Sequence, residues 1–190
     1  MTVASDETGL IKLLRHAYSG ERAAAGAYAG HWRSLDDPET RSAIYQIEQE
    51  EWDHRRQVGD MLAVLGASPS ALLELKAAAI GALLGPLCHV SGWLLPMFGA
   101  AWLEQQNVVE YSSAARLASG CGRAELVPAL ERMADVELQH ERYFRQQVAS
   151  HRLGRIAVRL LGSPTGGSPE TRHDDSRARV AATPGPPSSI

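Results

Sequence analysis

Apolar residues recur by threes and fours along four stretches of this chain, a pattern that predicts four amphipathic helices. The first stripe is Leu14, Tyr18, Glu21, Ala25 and Tyr28, and the second is Ile44, Ile47, Glu51, His54, Val58, Met61 and Leu65. The third is Met97, Ala101, Glu104, Val108, Tyr111 and Ala115, and the fourth is Leu126, Leu130, Met133, Glu137, His140 and Phe144. Such spacing keeps one face of each helix turned into a shared core. Strand-like alternation is absent, and alanine and leucine dominate, so the expected fold is all-α. The first helix is expected from near Asp6 to about Ser34. Asp37-Pro38-Glu39 then reads as a helix start, an acidic cap followed by proline in the first turn. That second helix should run to about Leu65, with Gly66 past its end and Pro69 as a stop. The third should begin after Pro96 and end near Ser119-Gly120, and the fourth should run from about Pro128 to His151.

Three segments stand outside this pattern. Ala77 to Leu103 is a run of 27 uncharged residues. Length alone allows a membrane span, but Pro86, Pro96, Gly81, Gly85, Gly92 and Gly99 interrupt it and its far end belongs to the third helix. It is read as a long apolar connection between helices 2 and 3, either a buried crossover or an interfacial hairpin. After the fourth helix, Arg152, Arg155 and Arg159 share one face and Leu153, Ile156 and Leu160 another. This short amphipathic helix suits an anionic membrane surface or the side of the bundle. From Ser163 onward the chain holds five of its ten prolines and little apolar surface. Such a stretch cannot offset its ordering entropy. The expected organisation is one domain over residues 1–162 and a disordered tail over 163–190.

The 190 residues suffice for one sizeable core, and the net charge of −3 is spread along the chain, which argues against a nucleic-acid partner. Two cysteines without a C-x-x-C spacing argue against a disulfide framework or a Cys₄ metal site. With a polar N-terminus, the expected location is cytoplasmic, with peripheral attachment at the inner face of the cell membrane as an option. Basic charge is 17 Arg against 2 Lys, which carries no functional reading.

The chemistry lies in the stripes. Glu21, Glu51, Glu104 and Glu137 all fall on core faces, and His54 and His140 follow two of them by three residues. An isolated ionised carboxylate in an apolar core is prohibitively costly, and four at one level repel each other. Two divalent cations would remove both problems. Glu-x-x-His places the two side chains about 60° apart on one helix face, so both can converge on one metal. A single Glu-x-x-His means little: Glu170-Thr171-Arg172-His173 is a third copy, in the tail, with no apolar stripe around it. A solvated helix face explains most lone glutamates, and a satisfied core position most lone histidines. The order Glu, Glu-x-x-His, Glu, Glu-x-x-His is more specific. The spacings are also similar, 30 from Glu21 to Glu51 and 33 from Glu104 to Glu137. This is the ligand pattern of di-iron and di-manganese carboxylate bundles. Two irons are expected, with manganese as the other option. Tyr28 and Tyr111 each follow a single glutamate by seven and are candidate catalytic residues, with plain core packing as the alternative. Glu48 is read as a solvated position and Glu110 as no ligand. Asp135 is a candidate to meet a histidine ring on a facing helix.

Gly20-Glu21 with Tyr28, Glu51-Trp52-Asp53-His54, Glu104 with Tyr111, and Asp135-Val136-Glu137 with His140 together resemble the demethoxyubiquinone hydroxylase family. The resemblance covers about Leu10 to Leu161. It implies a ferritin-like four-helix bundle, the same six metal ligands, and an apolar connection that meets the membrane and admits a lipophilic quinone. Three positions depart from the family. His16-Ala17-Tyr18-Ser19-Gly20-Glu21 stands where the family has His-Ala-Gly-Glu, Val109-Glu110 replaces a histidine pair, and Gln49 stands where an acid is expected. The expected function is O₂-dependent hydroxylation of a lipophilic quinone-like or aromatic molecule, with electrons from an external donor and Trp93, Leu94, Leu95, Met97 and Phe98 beside the substrate's path. The alternatives are a rubrerythrin-like peroxidase, which would ordinarily carry a Cys₄ iron domain, and a non-catalytic iron-handling protein.

Overall fold

The computed structural model describes residues 3–151, and among them there is helix and no strand. The helices are α1 (Val3–Arg33), α2 (Pro38–Val64), α3 (Ala71–Val90), α4 (Leu94–Gly120) and α5 (Val127–Ser150), with a single 3₁₀ turn at Ala124–Leu126. The basic amphipathic segment and the Pro-rich tail expected from the sequence lie outside the described residues.

The punctuation of the chain acts as its residue types dictate. The Asp37 side chain accepts from the Thr40 amide at 2.8 Å and Pro38 opens α2. Gly66 ends that helix at φ +64°, a conformation that only glycine adopts without strain. Each helix boundary falls close to its expected place, except that α4 starts at Leu94, so Pro96 sits in its first turn, where no intrahelical N–H is needed.

The connection between α2 and α4 corrects the reading of its glycines and of Pro86. Gly81, Gly85 and Pro86 do not break it, for α3 is a continuous helix with Pro86 inside, and the break falls at Gly92, φ +74°, between α3 and α4. Gly81 and Gly85 instead lie buried against Gly26 and Gly30 of α1. A Cβ on Gly26 would lie 3.0 Å from the Gly81 Cα, and one on Gly30 would collide with the Gly85 backbone. The absence of side chains lets the two helix backbones touch, and α3 packs along α1 rather than among the four ligand-bearing helices. Its start is fixed by Glu74, which accepts from Ser19 at 2.8 Å and ion-pairs with Arg22 at 3.1 Å and Arg55 at 2.5 Å. Its outer face carries exposed Leu75, Ile80, Leu83, Leu87 and Val90. By length and composition alone, α3 could cross a membrane.

In the bundle, α1 packs on α2 and α4, and α4 on α5. Two apolar cores form. One gathers Leu10, Leu14, Val58, Leu62, Leu130 and Met133. The other gathers Ala24, Ile44, Met97, Ala101, Phe144 and Val148. The ligand positions of every stripe fall between these two groups in sequence, and the site is the polar layer between them.

Candidate metal centre

All six candidate ligands are buried, with Glu51, Glu104 and Glu137 at 0% exposure. The fold brings them into two groups. Glu21, Glu51, His54 and Glu137 each offer one ligand atom within 4.8 Å of the others, and Glu51, Glu104, Glu137 and His140 do the same. Glu51 and Glu137, the first residues of the two Glu-x-x-His pairs, belong to both groups. α2 and α5 therefore supply the shared carboxylates and the histidines, while α1 and α4 supply one outer carboxylate each.

The hydrogen bonds leave donor atoms facing inward. The two tyrosines are reciprocal: Tyr28 of α1 donates to Glu104 of α4, and Tyr111 of α4 donates to Glu21 of α1. Asn107 Nδ2 spans Glu104 and Glu137, 3.4 Å from each. The outward Nε2 of His140 meets Glu50 at 2.6 Å. His140 Nδ1 then faces inward, 3.5 Å from Glu51 and 3.7 Å from Glu137, with no hydrogen bond of its own. Neither oxygen of Glu51 nor Oε2 of Glu21 has a hydrogen-bond partner. Buried polar atoms rarely stay unpaired, and unpaired carboxylate oxygens beside an inward imidazole nitrogen are what oxygen- and nitrogen-ligated cations require.

The electrostatics give the same picture. Burial raises Glu21, and raises Glu51 and Glu104 well above the ordinary carboxylate range, with repulsion from Glu137 adding to it in each. Burial also works against Glu137, but contacts with Glu104, His140 and His54 outweigh it and hold Glu137 ionised. His54 Nδ1 lies 2.8 Å from Glu137. His140 is raised to about 9: burial pulls it down, and the nearby carboxylates of Glu137 and Glu50 more than offset this. Without metal, the layer can approach neutrality only by retaining protons on carboxylates, and cations would take their place.

Several neighbours differ from their expected roles. Asp135 is exposed, and Glu50 meets His140 instead. The acid absent at the exposed Gln49 is thus supplied one residue later. Glu48 is not solvated. It is buried and accepts from the Trp32 indole at 2.6 Å and the Trp52 indole at 3.4 Å. Glu110 is half-buried and raised to about 7, by burial first and then by Glu21 and Glu137. Asn107 and Glu50 were absent from the sequence reading. The three-residue step from Glu104 to Asn107 could have indicated the first, but no spacing rule marks the second.

Beside this layer lies an apolar cavity of about 300 Å³ between α1, α3 and the start of α4, with Tyr28, Ala100 and Leu103 in its wall. Ala100 is one helical turn from Glu104. Its wall also includes Leu84, Leu87, Leu95 and Trp102, all of them exposed apolar residues.

Fold and site define an all-α bundle with a buried carboxylate–histidine layer able to hold metal ions. The family described as ubiquinone biosynthesis protein COQ7 matches residues 9–108, more than half of the chain, and the protein belongs to that family. Relatives include the 3-demethoxyubiquinol 3-hydroxylases of Francisella tularensis subsp. novicida (strain U112) and subsp. tularensis (strain SCHU S4 / Schu 4). Each is 40% identical over 60 residues, 32% of this chain and 28% of the relative. The chain thus matches less than a third of the length of these relatives. Glu21, Glu51, His54 and Glu104 fall within the family match, whereas Glu137 and His140 join the cluster by their geometry.

Proposed function

We propose that this protein is a two-iron hydroxylase that uses O₂ to introduce a hydroxyl group into a lipophilic ring, of the kind named in its relatives, a demethoxyubiquinol. The observation that carries this reading is the pair of four-ligand groups sharing Glu51 and Glu137, set one helical turn from an apolar cavity. Glu21 and His54 would hold one iron, Glu104 and His140 the other, and Glu51 and Glu137 both. When bound, the two ferrous ions supply the electrons and open coordination positions that O₂ activation requires.

The chain's own residues prepare that chemistry. Tyr28 and Tyr111 hold the outer carboxylates by their hydroxyls, so each oxygen left over faces inward. Glu50 accepts a hydrogen bond from the Nε2–H of His140 and leaves Nδ1 as the ligand atom. The two apolar cores exclude water from the layer, which strengthens every interaction there and protects the oxidant from side reactions. The overall balance is R–H plus O₂, two electrons and two protons giving R–OH and water, with the electrons delivered by an external donor. The apolar outer faces of α3 and α4 fit a peripheral position on the cytoplasmic side of a membrane, from which an apolar substrate reaches the cavity without crossing water.

The test is isotopic. Reduced, iron-loaded protein is given ¹⁸O₂ and a short-chain demethoxyquinol, and products are read by mass spectrometry. One labelled oxygen atom per product is the expected result. Unlabelled quinol with rapid peroxide turnover would replace this reading with a peroxidase.

A further inference from the structure

One residue that lines the apolar cavity, His31, carries a buried polar atom that bonds to nothing. His31 stands one turn beyond Tyr28 on α1, is 2% exposed, and its Nε2 has no hydrogen-bond partner. Its ring is held in place by stacking on Tyr28 and Phe144, at centroid distances of 6.5 Å and 6.2 Å. Burial lowers its pKa to about 4, so at neutral pH the ring is uncharged and offers one donor and one acceptor. Two other heteroatoms of the wall are engaged: the Tyr28 hydroxyl donates to Glu104, and the Cys88 sulfur lies 4.0 Å from the Ala27 carbonyl. Ser91 and Trp102 also line the cavity but are less buried than His31. His31 and Cys88 also line a more polar cleft of about 350 Å³ that includes Asp36, Asp37 and Thr40. His31 therefore stands where apolar cavity and polar cleft meet, and a ligand in the cavity would bring the hydrogen bond that solvent does not supply.

We infer that His31 recognises an oxygen on the edge of a six-membered ring bound in the cavity, and so selects oxygenated rings over plain hydrocarbon ones. The inference rests on the proposed function only in taking this cavity as the substrate's. Along α1, His31 is about 4.5 Å beyond Tyr28 and about 15 Å beyond Glu21. An oxygen held at His31 restricts how the ring can turn, and hence which of its carbons lies toward Tyr28 and Glu104. A site that hydrogen-bonds an oxygen discriminates against the analogue lacking it, because the buried partner is then left unpaired.

The test is binding to the full, metal-free chain, followed by calorimetry, with 4-butylphenol and butylbenzene as probes. The wild-type chain should prefer the phenol. His31→Leu should lose about tenfold in phenol affinity, the worth of one hydrogen bond, while butylbenzene affinity stays within about twofold. His31→Gln, which keeps a donor and an acceptor, should restore part of the preference. The imidazole ¹⁵N resonances of His31 should shift with the phenol alone. Equal losses for both probes, no preference in the wild type, or no binding of either would overturn the inference. Oxygenation is measured separately on iron-loaded protein: failure there with the phenol preference intact overturns the proposed function and leaves the role of His31 standing.

Discussion

Helices α5 and α3 break the usual rule of burial in opposite directions. α5 turns Glu137, His140 and Glu141 inward and leaves much of its outer face charged. α3 buries only Ala77, Gly81 and Gly85 and turns its leucines outward. Both are costly arrangements for a bundle in water, because a buried charge must be matched and an exposed apolar face must be covered. The inward charges of α5 meet those of α1, α2 and α4, so cations held among them would resolve the mismatch inside the chain. Among the described residues nothing covers the outer face of α3, and an apolar surface would do so. One helix thus bears on the proposed cofactor and the other on the proposed surroundings.

The largest effect should come from removing the partners of α5. Wild-type protein is expected to bind two irons per chain, and Glu51→Ala or His140→Ala should each lose at least one, as read by elemental analysis. Glu170→Ala and His173→Ala should keep both. Full metal content in the first two variants would show that the inward charges serve something else.

The metal-free chain sharpens the same point through pH. Glu21, Glu51 and Glu104 have folded pKa values raised above the ordinary 4.5, by burial first. A carboxyl so raised contributes stability that is complete below its unfolded pKa and is lost as pH rises through the folded one. Raised His54 and His140 act with the same sign at higher pH. Lowered Glu137, Glu50, Glu74 and Asp37 oppose them mainly below about pH 5, and lowered His31 opposes them up to its ordinary pKa. The raised groups of the site thus outnumber what opposes them between about pH 5 and pH 8. Metal-free protein should therefore melt at a higher temperature near pH 5 than near pH 8 in scanning calorimetry. Iron loading, which needs the ligands deprotonated, should reverse that order.

On the side of α3 the effects are smaller. Gly30→Leu forces α1 and α3 apart and should destabilise the chain by about 1–3 kcal/mol or more in denaturant titrations. Gly20→Ala, where an added Cβ meets nothing within 4 Å, should stabilise it by about 0.4–1 kcal/mol. Equal responses at the two positions would mean that the close approach of Gly30 and Gly85 does not hold α3.

The bundle was legible because its stripes are long and its ends carry unambiguous caps, Asp37-Pro38 above all. That these carboxylates and histidines would meet in one buried layer was legible for a related reason, since a glutamate at a core position in each of four stripes has few explanations. α3 was less legible. Glycine is both a helix breaker and the residue that lets two helices touch, and only the partner glycines Gly26 and Gly30, some 55 residues earlier in the chain, decide which role Gly81 and Gly85 play. His31 was not legible at all. Its neighbours in sequence are ordinary helix residues, and its importance depends on stacking against Phe144 and on a cavity made by three helices.

The tyrosine–glutamate pairs have one more consequence. α1 steadies a carboxylate that α4 contributes, and α4 steadies one that α1 contributes. Neither helical hairpin, α1–α2 or α4–α5, contains the tyrosine that supports its own outer carboxylate. The two hairpins are therefore mutual templates, and a slip of one turn between α1 and α4 would release both supports together. Correct assembly of the halves and readiness to receive metal would become the same event, so a misassembled bundle would lack the ordered side chains that the proposed metal centre needs.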